Sequence, residues 1–289
     1  MGIKCKVICC FVAVVTLLSC GRKGAPSDAF VEEAEEVEMS EEQEVCSDEE
    51  DSLAQVPLFV ATEEALDSVF NDFLFAYLHS RALRRERTAK PLRLEHPKRP
   101  TELLEQFDPE FEFSFLSGEF FTTLYGSARQ MQAEDDDELE EDTIVSLQRI
   151  NLNDGTIRNF LFQRDAGHWK LDALREETFE EDELCDFLTF YAHFCSDSLF
   201  QSQSIADPLR IVIQDTEDED GSIDGIIDAD QWQTFCPEVP SGIISNIRKG
   251  QNYSGNRIVM RKSGLSNGLQ EIFTFSREKG NWRLTKYEN

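Results

Sequence analysis

Two stretches of the chain carry apolar residues at intervals of three and four, the spacing that predicts an amphipathic helix. In the first stretch these positions include Leu66, Phe70, Phe73 and Tyr77. In the second they include Leu184, Phe187, Tyr191 and Phe194. The pattern Thr178-x-x-Glu181 is typical of a capping box and predicts the start of the second helix.

Two groups of three segments alternate between apolar and polar positions, which predicts strands. The predicted strands are 143–152, 156–163 and 168–174, followed by 257–261, 269–276 and 281–287. The sequences NDG at 153–155 and NG at 267–268 are strong hairpin signals. Strands joined by hairpins form an antiparallel sheet, and an amphipathic helix would cover its apolar face.

The same phrases occur twice and in the same order. GHWKLDAL at 167–174 matches GNWRLTKY at 280–287, and the helix phrase DFLxxYxH at 72–79 matches 186–193. Between them, the sequence Pro-Leu-Arg at 91–93 matches that at 208–210. This ordered series predicts two copies of one domain, at 57–176 and 177–289, each with its own core.

A helix packed on a curved antiparallel sheet resembles the nuclear-transport-factor-2-like fold, a cone with a pocket. The duplicated arrangement behind a lipid-attachment motif is also similar to a family of bacterial lipoproteins known only as a domain of unknown function. The resemblance covers about 57–289. It implies an α+β fold with two tandem copies of a cone-like domain, each a long N-terminal helix packed on a curved antiparallel sheet. The shared motifs are structural, and they supply no catalytic residues.

The first twenty residues have the pattern of a secretory signal, with Lys4 and Lys6 followed by an apolar run at 7–18. The run is shorter than the ~20 residues that span a membrane. The ending Leu-Leu-Ser-Cys resembles the bacterial lipobox, which implies cleavage before Cys20 and lipid attachment to that residue. An ordinary signal peptide with a chance cysteine is the alternative. We therefore expect a lipid anchor in the bacterial cell envelope, on the periplasmic or the outer side.

Residues 21–56 follow as an acidic tether, since 27–55 hold 13 carboxylates and neither Lys nor Arg. The whole chain has a formal net charge of -29, which disfavours nucleic-acid binding. Its 40% apolar content is sufficient for packed cores. The basic stretch at 81–99 could pair with the acidic tether or bind an anion.

The cysteines give no metal pattern. Cys185 and Cys195 lie on one predicted helix about 15 Å apart, too far for a disulfide. Cys236 could pair with either of them. No cysteine spacing resembles a zinc site, and we predict no metal or cofactor.

Two short motifs resemble functional sites. GLSNG at 264–268 fits the nucleophile-elbow pattern, but strands are predicted on both sides where an elbow needs a following helix. The acidic segment 220–231 resembles a calcium loop, yet it ends in Gln231 where the loop needs a bidentate Glu. We predict an acidic hairpin turn there, with a weak calcium site as the alternative.

Six polar-tipped or ring-bearing residues are candidates for the cone pockets. They are Tyr77, His79, Trp169, Tyr191, His193 and Trp282. Ordinary core packing is the alternative for the four aromatic residues. Each histidine shares a helix face with an aspartate seven residues earlier, but about 10 Å separates them along the axis.

These features favour a non-catalytic, lipid-anchored envelope protein that binds a small ligand or a protein partner. One alternative is an enzyme that uses a cone pocket with a carboxylate and His79 or His193. The other is a structural module that docks through its charged faces.

Overall fold

The computed structural model describes residues 66–116, 118, 120–135, 143–214, 221–235, 237–251, 253, 255–264 and 268–289. The predicted signal segment, Cys20 and the acidic tether lie outside these residues, as do Cys46 and Cys236. None of the helices within the described ranges is long and apolar enough to cross a membrane.

The described residues contain two successive series of helices and strands in the same order, except that α4 of the first series has no counterpart among the described residues of the second. The helices of the first series are α1 (Phe70–His79), α2 (Arg81–Glu86), α3 (Pro109–Glu112) and α4 (Ala128–Asp135). Its strands are β1 (Thr88–His96), β2 (Arg99–Leu104), β3 (Phe120–Tyr125), β4 (Ile144–Asn151), β5 (Thr156–Asp165) and β6 (His168–Thr178). A short 3-10 turn at Ser114–Leu116 follows α3.

The second series repeats this order from α5 onward. Its helices are α5 (Cys185–Ser196), α6 (Ser198–Gln203) and α7 (Trp232–Phe235). Its strands are β7 (Ile205–Gln214), β8 (Ser222–Ile227), β9 (Ile243–Arg248), β10 (Arg257–Gly264), β11 (Gln270–Glu278) and β12 (Asn281–Glu288). β6 continues to Thr178, past the boundary predicted between 176 and 177, and the division into two domains stays a prediction.

The strands form two six-stranded sheets. The order in the first sheet is β2-β1-β6-β5-β4-β9, and in the second it is β8-β7-β12-β11-β10-β3. The hairpin-linked strands pair antiparallel as predicted, but β1 pairs with β6 in parallel, and β7 pairs with β12 in the same way. The prediction of purely antiparallel sheets was wrong at these two places, because β1 and β7 each enter from a helix instead of a hairpin.

Each sheet contains one strand from the other series. β3 of the first series pairs with β10, and β9 of the second pairs with β4. Where these two strands meet, the Thr122 amide donates to Ser245 Oγ at 2.8 Å, and the Ser245 amide donates to Thr122 Oγ1 at 3.0 Å. The two residues hold the same position in their strands, so the contact is reciprocal, as at a two-fold axis. Residues 59–289 accordingly form one compact unit.

The predicted helix faces pack on the sheets. Phe70, Phe73 and Tyr77 of α1 are buried, and so are the equivalent residues of α5. Around α1 the rings meet mainly edge to face, including Phe73 with Phe162 at 5.9 Å between centroids. Such packing fixes each helix on one face of its sheet.

The capping box is present but begins a shorter element than predicted. The Thr178 amide donates to Glu181 Oε2 at 3.0 Å, and the residues between them form a single 3-10 turn. α5 begins only at Cys185. The Asp182 side chain accepts the Leu184 amide at 2.7 Å and so satisfies a backbone donor at the start of this helix.

The two predicted hairpins near the suspected motifs are present. β7 and β8 pair antiparallel from Leu209 to Gln214, so Ser222–Ile227 is a strand and not part of a calcium loop between helices. Asp224 forms an ion pair with Arg210 across this hairpin. GLSNG joins β10 to β11, and Ser266 itself lies outside the described residues. A strand on each side is incompatible with a nucleophile elbow.

Candidate functional site

The two tyrosines proposed for the pockets lie in the core. Tyr77 and Tyr191 are 0% exposed. The Tyr77 hydroxyl is 2.6 Å from Thr88 Oγ1, and the Tyr191 hydroxyl donates to the Pro240 carbonyl at 2.8 Å. Burial raises the pKa of Tyr77 to about 12, and it raises that of Tyr191 well above its usual value. Both rings therefore serve packing and polar anchoring inside the fold.

The two tryptophans hold equivalent places at the start of the last strand of each series. Trp169 packs edge to face against Phe70, with 5.0 Å between ring centroids. Trp282 packs in the same way against Phe187 at 5.4 Å. An arginine lies over each ring from the neighbouring strand, Arg164 at 5.9 Å and Arg277 at 4.8 Å from the centroid.

His79 and His193 are exposed. His79 borders a small cleft of about 310 Å³ that Glu110 also lines, but Glu110 is paired with Arg81. His79 Nδ1 lies 2.8 Å from the Phe75 carbonyl of its own helix. Asp72 is exposed, and Asp186 forms an ion pair with Arg277 at 2.9 Å. The structure thus does not assemble the Asp and His pairs considered for catalysis.

A different group of residues forms a row of charged side chains on the helix-covered face of the first sheet. Arg149 lies directly opposite Arg158, and Arg158 lies opposite Glu176. His96 lies next in the row, since Leu94 pairs with Leu174 in parallel and both strands continue by two residues. We call Arg149, Arg158, Glu176 and His96 the polar row; it follows directly after the buried side chains of Leu147, Phe160, Leu174 and Leu94.

The polar row lines a cleft of about 700 Å³, which we call the first cleft. Its other walls are the β1–β2 turn, with Lys98 and Arg99, and the end of β6 with the acidic turn that follows it. Lys98 reaches across to Glu181 at 2.8 Å, which raises the pKa of the lysine and lowers that of the glutamate. This size lies in the range that small-molecule sites occupy.

Glu112 of α3 contacts the polar row through Arg158. Arg158 contacts Glu112 Oε1 through Nη2 at 2.9 Å and Glu176 Oε1 through Nη1 at 3.0 Å. Among the described residues, the buried atoms Glu112 Oε2 and Arg158 Nε have no hydrogen-bond partner. Burial raises the pKa of Glu112, although Arg158 and Arg149 oppose the shift. Buried polar atoms without partners are uncommon, so these two point to a missing partner.

His96 adds a third such atom. Its side chain is 4% exposed, its Nδ1 lies 3.8 Å from Glu176 Oε2, and Arg99 Nη2 lies 2.9 Å from the same nitrogen. Nε2 is buried and has no hydrogen-bond partner in the described chain, and its nearest acidic group is Glu102 at 3.6 Å.

Arg149 is the one cation of the polar row with no hydrogen bond or ion pair to the described residues. Its place directly opposite Arg158 is unfavourable for stability, since like charges facing each other across strands repel. An anionic group between the two guanidinium groups would remove this repulsion.

The second sheet has a paired arrangement at the same place. Counting from the matching phenylalanines Phe162 and Phe275, Lys262 replaces Arg149 and Glu271 replaces Arg158. Lys262 Nζ and Glu271 Oε2 are 2.7 Å apart, so the opposite charges satisfy each other. The unsatisfied row is therefore a property of the first sheet.

No group of three or more His, Cys, Asp or Glu side chains within the described ranges is arranged to hold a metal ion. Cys185 and Cys195 are free thiols, in agreement with their spacing on α5. Cys195 Sγ donates to the Pro240 carbonyl at 3.2 Å, and burial raises its pKa to about 12, which suppresses the reactive thiolate.

The sequence indicates part of the polar row through strand periodicity, although no motif marks it. In the predicted strands 143–152 and 156–163, which the NDG turn joins, Arg149 and Arg158 lie on the same face as the buried apolar side chains. Charges on an otherwise apolar face would have indicated a polar site. Glu112 and His96 could not be found in this way, because their approach depends on tertiary packing.

Comparison with solved structures gives a clear relative. A crystal structure of an NTF2-like protein from Bacteroides fragilis NCTC 9343 is similar to this chain, with a TM-score of 0.67 and 29% sequence identity. The similarity covers 77% of this chain and 96% of that one. The α+β architecture with an NTF2-like relative agrees with the fold class expected from the sequence. No curated protein matches the chain.

The sequence also matches a family over residues 49–289, a range that includes both sheets and the first cleft. The chain therefore belongs to the family described as Domain of unknown function (DUF4348).

Proposed function

We propose that the protein is a non-catalytic binding protein that holds a small zwitterionic molecule in the first cleft. The observation that carries this proposal is a set of three buried, unpartnered polar atoms: His96 Nε2 and Arg158 Nε of the polar row, and Oε2 of Glu112, which contacts Arg158. They lie among paired charges beside a cleft of about 700 Å³.

The chemistry of the row fits a ligand with both an anionic and a cationic group. A carboxylate between Arg149 and Arg158 would offset the repulsion of the two guanidinium groups. A cationic donor group next to it would meet Glu112 Oε2, favour the ionised form of that carboxyl and lower its raised pKa. A ligand with an anion alone would leave Glu112 unsatisfied, and a cation alone would leave Arg149 unsatisfied.

The test is a thermal-shift panel of free amino acids as zwitterionic probes on the full chain. At about 10 mM, at least one should raise Tm by about 2 °C or more. The corresponding N-acetylated amino acids lack the cation, and they should raise Tm less. A panel in which no amino acid stabilises the protein would contradict the proposal.

We further infer that the protein is held at the membrane of a bacterial cell envelope through lipid on Cys20. The support is the sequence of residues 1–20, with its basic start, short apolar run and Leu-Leu-Ser-Cys ending. Several acyl chains at one residue make a stable anchor, and a binding domain on a tether would remain close to the membrane. In cell fractionation, wild type should be found with membranes and Cys20→Ala should not. Equal membrane association of both would contradict the anchor.

The third proposal is that the two series of elements are tandem copies of one cone-like domain. The equal order of elements, the matching Gly-x-Trp strands and the reciprocal contact of Thr122 with Ser245 support it. In this interpretation the copies exchanged one strand each. The first copy keeps the ligand cleft, and the second has the Lys262–Glu271 ion pair in its place.

A further inference from the structure

A second cleft, of about 580 Å³, lies beside Trp282, between α5, α6 and the β11–β12 hairpin. In the first series, a side chain of the protein itself occupies the equivalent place. There, Asp67 accepts the Trp169 amide at 2.9 Å through Oδ1, and His168 Nδ1 lies 2.7 Å from Oδ2. Arg87 donates to the same carboxylate at 3.1 Å.

The Asp67 carboxylate is held as a bound anion would be. Its side chain is 2% exposed. Burial by itself would raise the pKa of Asp67, but the contacts of His168, the Trp169 amide and Arg87 together hold it below its usual value. The first series thus contains a carboxylate site that its own chain occupies.

The second series has the same backbone without this carboxylate. Leu171 donates to the Arg87 carbonyl at 2.8 Å, and Leu284 donates to the Ser204 carbonyl at 2.9 Å, so Ser204 holds the place of Arg87. Asn281 holds the place of His168 at the start of the last strand.

No described carboxylate contacts the Trp282 amide as Asp67 contacts that of Trp169. The acidic residues just before α5 are engaged elsewhere: Glu181 pairs with Lys98, Glu183 pairs with Arg248, and Asp182 makes two contacts of its own. Asp182 pairs with Arg248 at 2.8 Å and accepts the Leu184 amide at 2.7 Å. Asp186 also borders the second cleft, but it extends from α5 to Arg277 Nη2 at 2.9 Å.

Several donors remain around the second cleft. Arg277 Nε and Trp282 Nε1 are buried and have no hydrogen-bond partner in the described chain, and Trp282 is 8% exposed. The Trp169 indole nitrogen also has no partner. The two places therefore differ in the carboxylate contact of the tryptophan amide, in the unpartnered arginine Nε and in the empty volume beside the ring. Ser204 and Asn281 also line this cleft and carry donors, and Arg283 brings a second guanidinium.

We propose that the second cleft binds the carboxylate group of a small molecule at the place where Asp67 lies in the first series. The carboxylate accepts from the Trp282 amide and from Arg277 Nε, with Ser204 and Asn281 as neutral donors. This site is separate from the first cleft, because its residues belong to the second series and to the opposite sheet.

The experiment is a titration of the ¹⁵N-labelled full chain with N-acetylaspartate, followed by NMR. The amide and indole signals of Trp282 should shift in a saturable way. The signals of Trp169 should stay in place, because Asp67 occupies the equivalent site, so Trp169 is an internal control. N-acetylasparaginamide, in which amides replace both carboxylates of the probe and which is uncharged, should cause no such shift.

The matched variants are Arg277→Gln and Arg164→Gln, which change equivalent strand positions in the two series. Arg277→Gln should weaken the Trp282 response by about tenfold or more, since a charge-assisted hydrogen bond is lost. Arg164→Gln should leave it unchanged. In Asp67→Ala, the probe should also shift the Trp169 amide.

Unchanged Trp282 signals, or equal shifts with the uncharged probe, would overturn the proposal. These outcomes do not bear on the first cleft, which the thermal-shift panel tests separately.

Discussion

Single residues decide which of the two sheets carries the candidate ligand site. Arg158 and Glu271 hold equivalent strand positions, and across the preceding hairpin they face Arg149 and Lys262, respectively. One pair stabilises its sheet, and the other places two cations face to face. Stability alone would not favour two facing cations, so we attribute this arrangement to ligand binding.

At Asp67, substitution should be costly. Asp67→Asn removes the charge that faces Arg87 and His168 in the core, so we expect the free energy of unfolding to fall by about 3 kcal/mol at pH 7. The folded pKa of Asp67 is lowered, so its stabilisation is complete above the unfolded value of about 3.9 and is lost as pH falls through the folded value. Urea unfolding should show the gap between wild type and variant closing in acid. A gap that stays constant would contradict this assignment.

At Glu112 the pH dependence should have the opposite sign. Its folded pKa is raised, so its contribution to stability is complete below the unfolded value of about 4.3 and is lost as pH rises through the folded value. Wild type should therefore gain stability relative to Glu112→Gln when the pH is lowered from 7 to 4. Glu110→Gln, at an exposed position of the same helix, is the control. An equal pH response of both variants would be evidence against a desolvated Glu112.

At the scale of elements, helices and hairpins could be predicted from local patterns, whereas pairings that depend on distant residues could not. The apolar spacing identified the buried faces of α1 and α5, and the NDG turn identified the β4–β5 register. The parallel pairs β1–β6 and β7–β12 depend on where a helix returns the chain. The strands β3 and β9 cross to the other sheet, and no local signal states which partner a strand chooses.

The contact between the exchanged strands β3 and β9 can be tested by substitution. Thr122→Val leaves the Ser245 amide without its acceptor, and Ser245→Ala does the same to the Thr122 amide. Each variant should lower the free energy of unfolding by about 1–3 kcal/mol. The double variant should cost less than the sum of both, because they remove one shared contact. Strict additivity in denaturant unfolding would contradict the reciprocal contact.

At the scale of the whole molecule, the exchange ties the two halves together. Each sheet ends in a strand from the other series, and the core around α5 includes Leu124, Ile150 and Ile157 of the first series. The repeated phrases of the sequence predicted two copies of one domain, but no local pattern indicated that strands cross from one sheet to the other. Neither half can complete its sheet without the other.

Separate fragments should therefore depend on each other. Residues 59–176 and 177–289, expressed alone, should lack a cooperative thermal transition, and mixing them should restore one. Circular dichroism follows both states. If either fragment unfolds cooperatively alone with the Tm of the whole chain, the exchanged strands do not couple the halves.

Ligand binding at the polar row can be measured by isothermal titration calorimetry. The titrant is the amino acid that stabilises the protein most in the thermal-shift panel. Binding to Arg149→Gln should be about tenfold weaker than to wild type, because this change removes the guanidinium that has no partner in the described chain. Arg257→Gln, an exposed strand position on the second sheet, should bind like wild type. Equal affinities for wild type and both variants would contradict ligand binding at the polar row.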